Sequence, residues 1–164
     1  MPDSYNKWER FYHRLNLIFN GIVAITLIPF AFIFLETQTD FPDPPAIDGS
    51  MEMVVKVLLI VLAAAIIGLA QVYAKKSLIS VQQTEGLGER LNAYLKVKVR
   101  SYAILEFAAL LACLGLFLTK DQIFSFVYVF VLFIFSLGRP TFERVAREVK
   151  VSEKKLKEWG EASI

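Results

Sequence analysis

Glu106 is the only acidic residue inside the four long apolar runs of this 164-residue chain, and a carboxylate placed there is costly enough to mark a site. It follows Arg100 by six residues, roughly 9 Å along a helix, which puts it below the headgroups in the leaflet that Arg100 faces. At similar expected depth are Asn16 and Asn20 on one face of the first run, Gln71 near the end of the second, and Ser136 with Arg139 closing the fourth. If these converge, two chemistries follow. One is proton or cation handling, with Glu106 as the charged member and the amides orienting it; the other is recognition of a polar headgroup. The competing role is structural, with Glu106 hydrogen-bonded or paired to Arg139, Arg100 or Asn20 and so fixing helix register. The candidate intramembrane polar cluster is therefore Glu106, Arg139, Asn20, Asn16, Gln71 and Arg100.

Other chemistry finds little support. His13 is the single histidine and has no second ligand near it, so a catalytic zinc or haem site is not expected. The sequence holds no G-x-S-x-G elbow, phosphate loop or paired carboxylates. Gly86-Leu87-Gly88 lacks a phosphate-binding fingerprint and reads as a turn. Glu36, Asp40, Asp43, Asp48 and Glu52 form an acidic loop whose spacing matches no calcium pattern. Cys113 stands alone in an apolar run, where packing is its expected role. A net charge of +2 is too small to point to nucleic acid, so the basic residues are read as topology signals and as contacts for anionic lipid. No catalytic residue, metal ligand or cofactor is expected, and the reading is that the chain is not an enzyme.

The elements that must position the polar cluster are the runs themselves, at 15–35, 53–74, 101–118 and 122–138. Each is near the ~20 residues that cross a bilayer core, the fourth being short. In the fourth, Phe124, Phe126, Tyr128 and Phe130 alternate with other residues as in a strand, but a lone strand cannot satisfy its backbone in lipid, so a helix is expected. The first run is too long for a signal-peptide core and no small-residue cleavage site follows it, so it is read as a retained span. Lys and Arg crowd the segment before the first run, the 75–100 connection and the 139–164 tail, whereas 36–52 has none and the 119–121 turn has only Lys120. By the positive-inside rule both termini are cytoplasmic. The expected fold class is all-α: one integral membrane domain over 1–164, a four-helix bundle with an outer loop at 36–52, a cytoplasmic helical hairpin at 75–100 and a cytoplasmic tail.

Within that frame, Phe142, Val145, Ala146 and Val149 recur at helical spacing, giving an amphipathic tail helix that either lies on the membrane or packs on the hairpin. Proline at 140 suits a new helix start, and Ser152 can cap a last short helix ending near Trp159. Lys56 follows Glu52 by one turn, at ion-pair spacing. Ala64 with Gly68, and Ala108 with Ala112, mark the second and third helices as close neighbours. Setting Arg14 over Arg100 puts Asn20 opposite Glu106, a faint trace of parallel duplication.

The stretch Arg100-Ser101-Tyr102-Ala103-Ile104-Leu105-Glu106, with Arg139-Pro140-Thr141 and Glu143 beyond it, resembles an uncharacterised group of small bacterial four-span membrane proteins. In that group a glutamate lies early in the third helix and an Arg-Pro-Thr run closes the fourth. The resemblance covers mainly the second half and implies bacterial inner-membrane placement without an activity; it draws attention to Glu106 and Arg139 as a pair. A more distant similarity, to the rotor proteolipids of rotary ATPases, rests on helical hairpins carrying a membrane carboxylate. The departures are plain: the first and fourth runs are rich in Phe, Ile, Leu and Val, and Glu106 falls on the first helix of its hairpin. The expected role is a structural or accessory component of a membrane assembly, with a membrane-protein partner or as a homo-oligomer. The alternatives are a small transporter or ion-handling protein using Glu106 and, further off, a lipid-acting enzyme.

Overall fold

The computed structural model describes residues 7–39, 47 and 49–161, and among these every regular element is an α-helix. They are α1 (Lys7–Thr37), α2 (Gly49–Gln83), α3 (Leu87–Thr119), α4 (Ile123–Gly138), α5 (Phe142–Val149) and α6 (Glu153–Glu161). The alternating pattern in the fourth run is helical, as backbone satisfaction in an apolar medium requires. Helices α1, α2 and α3, of 31, 35 and 33 residues, are long and apolar enough to cross a membrane. The 16 residues of α4 reach ~24 Å, and α4 qualifies only together with α5, from which it is bent by 74°.

The helices extend beyond the apolar runs. α1 begins at Lys7, and α2 is already formed at Gly49, so both ends of the expected 36–52 loop are helical. The prolines of that loop, with Asp40, Asp43 and Asp48, lie outside the described residues. α2 continues unbroken through Lys75 and Lys76 to Gln83, and the chain reverses at Gly86, whose φ of 80° lies in the left-handed region that glycine tolerates. α3 then carries Arg100 and Glu106 on one continuous rod.

α1, α2 and α4 each pack chiefly on α3, and Phe19 of α1, Ala63 and Ala70 of α2, Tyr102 of α3 and Tyr128 of α4 belong to one apolar core. Burial follows from this: 56% of α3's most apolar stretch is covered by protein, against 11% for α1 and 17% for α2. Phe19 meets Tyr102 and Glu36 meets Lys120, so α1 and α3 rise together; Tyr102 meets Gly138, so α4 returns. The closest packing is between α2 and α3, as their small residues suggest, but by different ones. On α3, Ala108 and Ala112 are buried as expected, whereas on α2 the buried pair is Ala63 and Ala70. Ala64 and Gly68, one and two positions away, remain exposed.

A second apolar core lies beyond the ends of the apolar runs. Leu91 and Tyr94 of α3, Val81 of α2, and Trp8 and Leu15 of α1 enclose Val145 and Val149 of α5 with Leu156 of α6. The amphipathic helix therefore spends its apolar face on the hairpin. Thr141 accepts from the Arg144 N–H at 3.3 Å to start α5, and Ser152 accepts from the Lys155 N–H at 3.4 Å to start α6. At the other end of the molecule Lys56 pairs with Glu52 at 3.2 Å and also with Asp121, while Lys120 pairs with Glu36 at 2.7 Å. Asp121 accepts from the Ile123 N–H as well, and its bonds to Lys56 and that amide hold its carboxyl below the usual range.

Among the described glycines the least room is at Gly115, where a Cβ would fall 2.3 Å from the ring of Phe124, itself buried. Gly115→Ala is expected to cost about 1–3 kcal/mol through overpacking, read as a lower unfolding temperature in detergent. Gly68→Ala, with nothing within 4 Å of the added Cβ, should be neutral or slightly stabilising in the same measurement.

Candidate functional site

Two polar centres occupy different levels of the molecule. The first is built around Glu148 of α5, where the apolar stretches end. Its Oε2 accepts from Tyr94 Oη at 2.8 Å and Lys98 Nζ at 2.8 Å, and its Oε1 accepts from Arg144 Nε at 2.9 Å. Gln82 Nε2 of α2 donates to the Glu148 carbonyl at 3.0 Å, so α2, α3 and α5 meet here. Lys98 also lies 5.5 Å from the Tyr94 ring centroid. Two neighbouring bonds close the end of α4, where the final carbonyls lack helical partners: Arg144 Nη1 donates to the Leu137 carbonyl, and Tyr102 Oη to that of Gly138 at 2.9 Å.

The electrostatics of this centre follow from its burial. The Lys98 side chain is 7% exposed and that of Glu148 14%. Burial alone favours a neutral Glu148, but the charge of Lys98 and its hydrogen bond, with those from Arg144 and Tyr94, hold the carboxyl below the ordinary glutamate range. Burial draws the Lys98 ammonium below the ordinary lysine range, opposed by Glu148. Burial, then the Glu148 charge, push the Tyr94 hydroxyl well up, so it serves as a donor.

Beside this centre a cavity of about 420 Å³ opens between α2, α3, α4 and α5. Gln71, Lys75, Lys98, Ser101, Arg144 and Glu148 line its polar part, and Ala70, Leu105, Ile134 and Leu137 its apolar part. Ser101 Oγ is committed to the Ala70 carbonyl at 3.5 Å.

The second centre lies in the apolar layer. Glu106 is 7% exposed, and neither carboxylate oxygen meets a hydrogen-bond donor among the described residues. Thr26 of α1 lies beside it, and Cys113 and Tyr128 are within its electrostatic reach. Tyr128 Oη donates to Thr26 Oγ1 at 3.3 Å while its ring stacks on Phe30 at 3.8 Å, and Cys113 Sγ faces the Thr26 carbonyl at 4.0 Å. Pro29, inside α1, lacks the N–H that would otherwise bond the Ile25 carbonyl one turn earlier, which loosens the helix beside Thr26. A carboxylate buried here is costly to ionise, and the polar group set against it is Thr26 rather than a cation.

The six residues expected to form one cluster are therefore dispersed. Glu106 makes no bond to Arg139, Arg100 or Asn20, so the expected structural pairing is not the geometry adopted. Asn20, Ser136 and Arg139 do gather, around a separate surface hollow of about 330 Å³ between α1 and α4. Gln71 belongs to the cavity beside Glu148, while Arg100 is exposed and Asn16 half-buried, apart from both. The reason is rotational: equal depth along parallel helices does not put side chains on facing sides. His13 is exposed and Cys113 buried.

Sequence reasoning passed over Tyr94, Lys98, Arg144 and Glu148, and likewise Thr26 and Tyr128. Lys98 had a signal, since it continues the buried stripe Leu91, Tyr94, Tyr102, Leu105 on α3. Thr26 similarly extends Leu15 and Phe19 on α1. No protein-family model, curated protein or solved structure matches this chain.

Removing the Glu148 charge leaves Lys98 buried without a counterion, so Glu148→Gln should lower stability by about 3–5 kcal/mol. A carboxyl held below its unfolded pKa stabilises the fold above that value, and the stabilisation is lost as pH falls through the lower folded value. The unfolding temperature of the native chain should thus decline on acidification below the ordinary glutamate range. In Glu148→Gln that part of the acid decline should be missing.

Proposed function

We propose that this chain is a four-span protein of the bacterial cytoplasmic membrane, with both termini in the cytoplasm, acting as a non-enzymatic accessory component of a membrane assembly. In this reading α4 completes the fourth crossing with help from Gln122, Gly138 and local bilayer thinning. The layer formed by the hairpin, α5 and α6 then stands in the cytoplasm with the basic residues, in keeping with the positive-inside rule.

The observation that carries the accessory role is the uncommitted face of α2. Ala64 and Gly68, spaced for close helix approach, open onto an apolar groove of about 530 Å³ between α2 and α4, where Ile60, Ile67, Phe126 and Phe130 form the walls. Among the described residues both are exposed, and nothing lies within 4 Å of a Cβ placed at Gly68. A membrane helix of a partner, or of a second copy, fits that chemistry. A second reading, ion handling, draws on the buried Glu106 and its lack of a protein donor.

Purification of the tagged chain from its own membrane in mild detergent separates the two. The accessory role predicts a membrane protein retained in stoichiometric amount and lost on Gly68→Leu, with the chain's own unfolding temperature unchanged. A self-contained oligomer that conducts protons or cations in vesicles, and ceases to do so on Glu106→Gln while staying folded, would replace the accessory role with ion handling.

A further inference from the structure

We propose that the cavity between α2, α3, α4 and α5 binds the phosphate-bearing headgroup of an anionic glycerophospholipid, with the start of an acyl chain on its apolar end. The inference rests on the membrane reading above and gives the anionic-lipid contact expected of the basic residues a specific place.

Charge comes first. Lys75, Lys98 and Arg144 line the cavity against a single carboxylate, Glu148. That carboxylate is shared by Lys98 and Arg144, so their two positive charges meet one negative. Lys75 adds a third cation, exposed and with no ion pair or hydrogen bond among the described residues. Gln71, one turn before it on α2, brings an amide to the same wall. An anion entering here finds cations already held in place, Arg144 by its bonds to Glu148 and to the Leu137 carbonyl.

Level and shape come next. Lys75 is the first charge after the apolar stretch of α2, and Lys98 with Arg100 the last before that of α3, so the polar wall stands where headgroups lie. The lining holds both kinds of residue: on α3 the apolar Leu105 lies two turns further into the apolar stretch than the charged Lys98, and α4 adds Ile134 and Leu137. Its volume, about 420 Å³, falls within the ~300–1,000 Å³ of small-molecule sites and suits a glycerophosphate group rather than a whole lipid. A water-soluble phosphoester shares the phosphate chemistry but leaves the apolar end unused.

The test uses the purified full chain in a neutral detergent, with unfolding temperature and native mass spectrometry as readouts. Phosphatidylglycerol, phosphatidylcholine and glycerol 3-phosphate are added separately. The proposal predicts one tightly held phosphatidylglycerol and a raised unfolding temperature, with neither from phosphatidylcholine. Lys75→Glu, altering an exposed side chain with no ion pair or hydrogen bond among the described residues, should abolish the response and leave the lipid-free unfolding temperature unchanged. Equal responses to both lipids, or a Lys75→Glu chain that keeps its preference, would overturn the site. Stabilisation by glycerol 3-phosphate to which phosphatidylglycerol adds nothing would overturn the lipid assignment in favour of a soluble phosphoester. Release of the native chain from membranes by alkaline carbonate would instead overturn the membrane reading itself; a resistant chain without lipid preference would overturn only this proposal.

Discussion

Glu148 accepts from Tyr94 and Lys98 of α3 and from Arg144 of its own helix, while its carbonyl takes Gln82 of α2. Through this one residue the short helix α5 is fastened to the long α2–α3 hairpin, and its apolar side closes over Leu91 and Tyr94. The same Arg144 reaches the last turn of α4, so the 74° bend after α4 is held from both sides. Without a negative charge at this point, Lys98 would be buried uncompensated and the wall of the neighbouring cavity would lose the group that positions it.

Above this junction, packing takes over from electrostatics. α3 can serve as the common surface for three other helices because its inward positions are small: Ala108, Ala109, Ala112 and Gly115 are all buried. Close approach brings dispersion contacts and short distances to the neighbouring backbones, the forces available when lipid is as apolar as the side chains. Glu106 is the exception within that layer. It lies beside Thr26, where Pro29 interrupts the hydrogen bonds of α1, and it is the one buried side chain whose polar atoms meet no donor among the described residues.

Much of the architecture could be read from the chain. The apolar runs, the reversal near Gly86, the helix at 142–149 and its start after Pro140 follow from hydrophobic period and turn chemistry, which are local properties. What could not be read depends on rotation about helix axes. Ala64 and Gly68 lie one and two positions from Ala63 and Ala70, yet one pair is exposed and the other buried. Asn20 and Gln71 share a depth with Glu106 and face elsewhere. Lys98 was hidden for another reason: in a basic connection each lysine is explained by topology, so the one on the buried stripe does not stand out. Glu148 reads as part of a solvated face until the bend after α4 turns it toward the hairpin.

With 16 residues, α4 is the shortest crossing of the proposed four-span topology and decides on which side the tail lies. The direct measurement is labelling of single cysteines at Asp43 and at Lys154 by a membrane-impermeant reagent in intact cells and after lysis, with the buried Cys113 as a quiet background. Four crossings predict labelling at position 43 in intact cells and at position 154 only after lysis. Labelling of position 154 in intact cells would place the tail on the outer side and contradict the account.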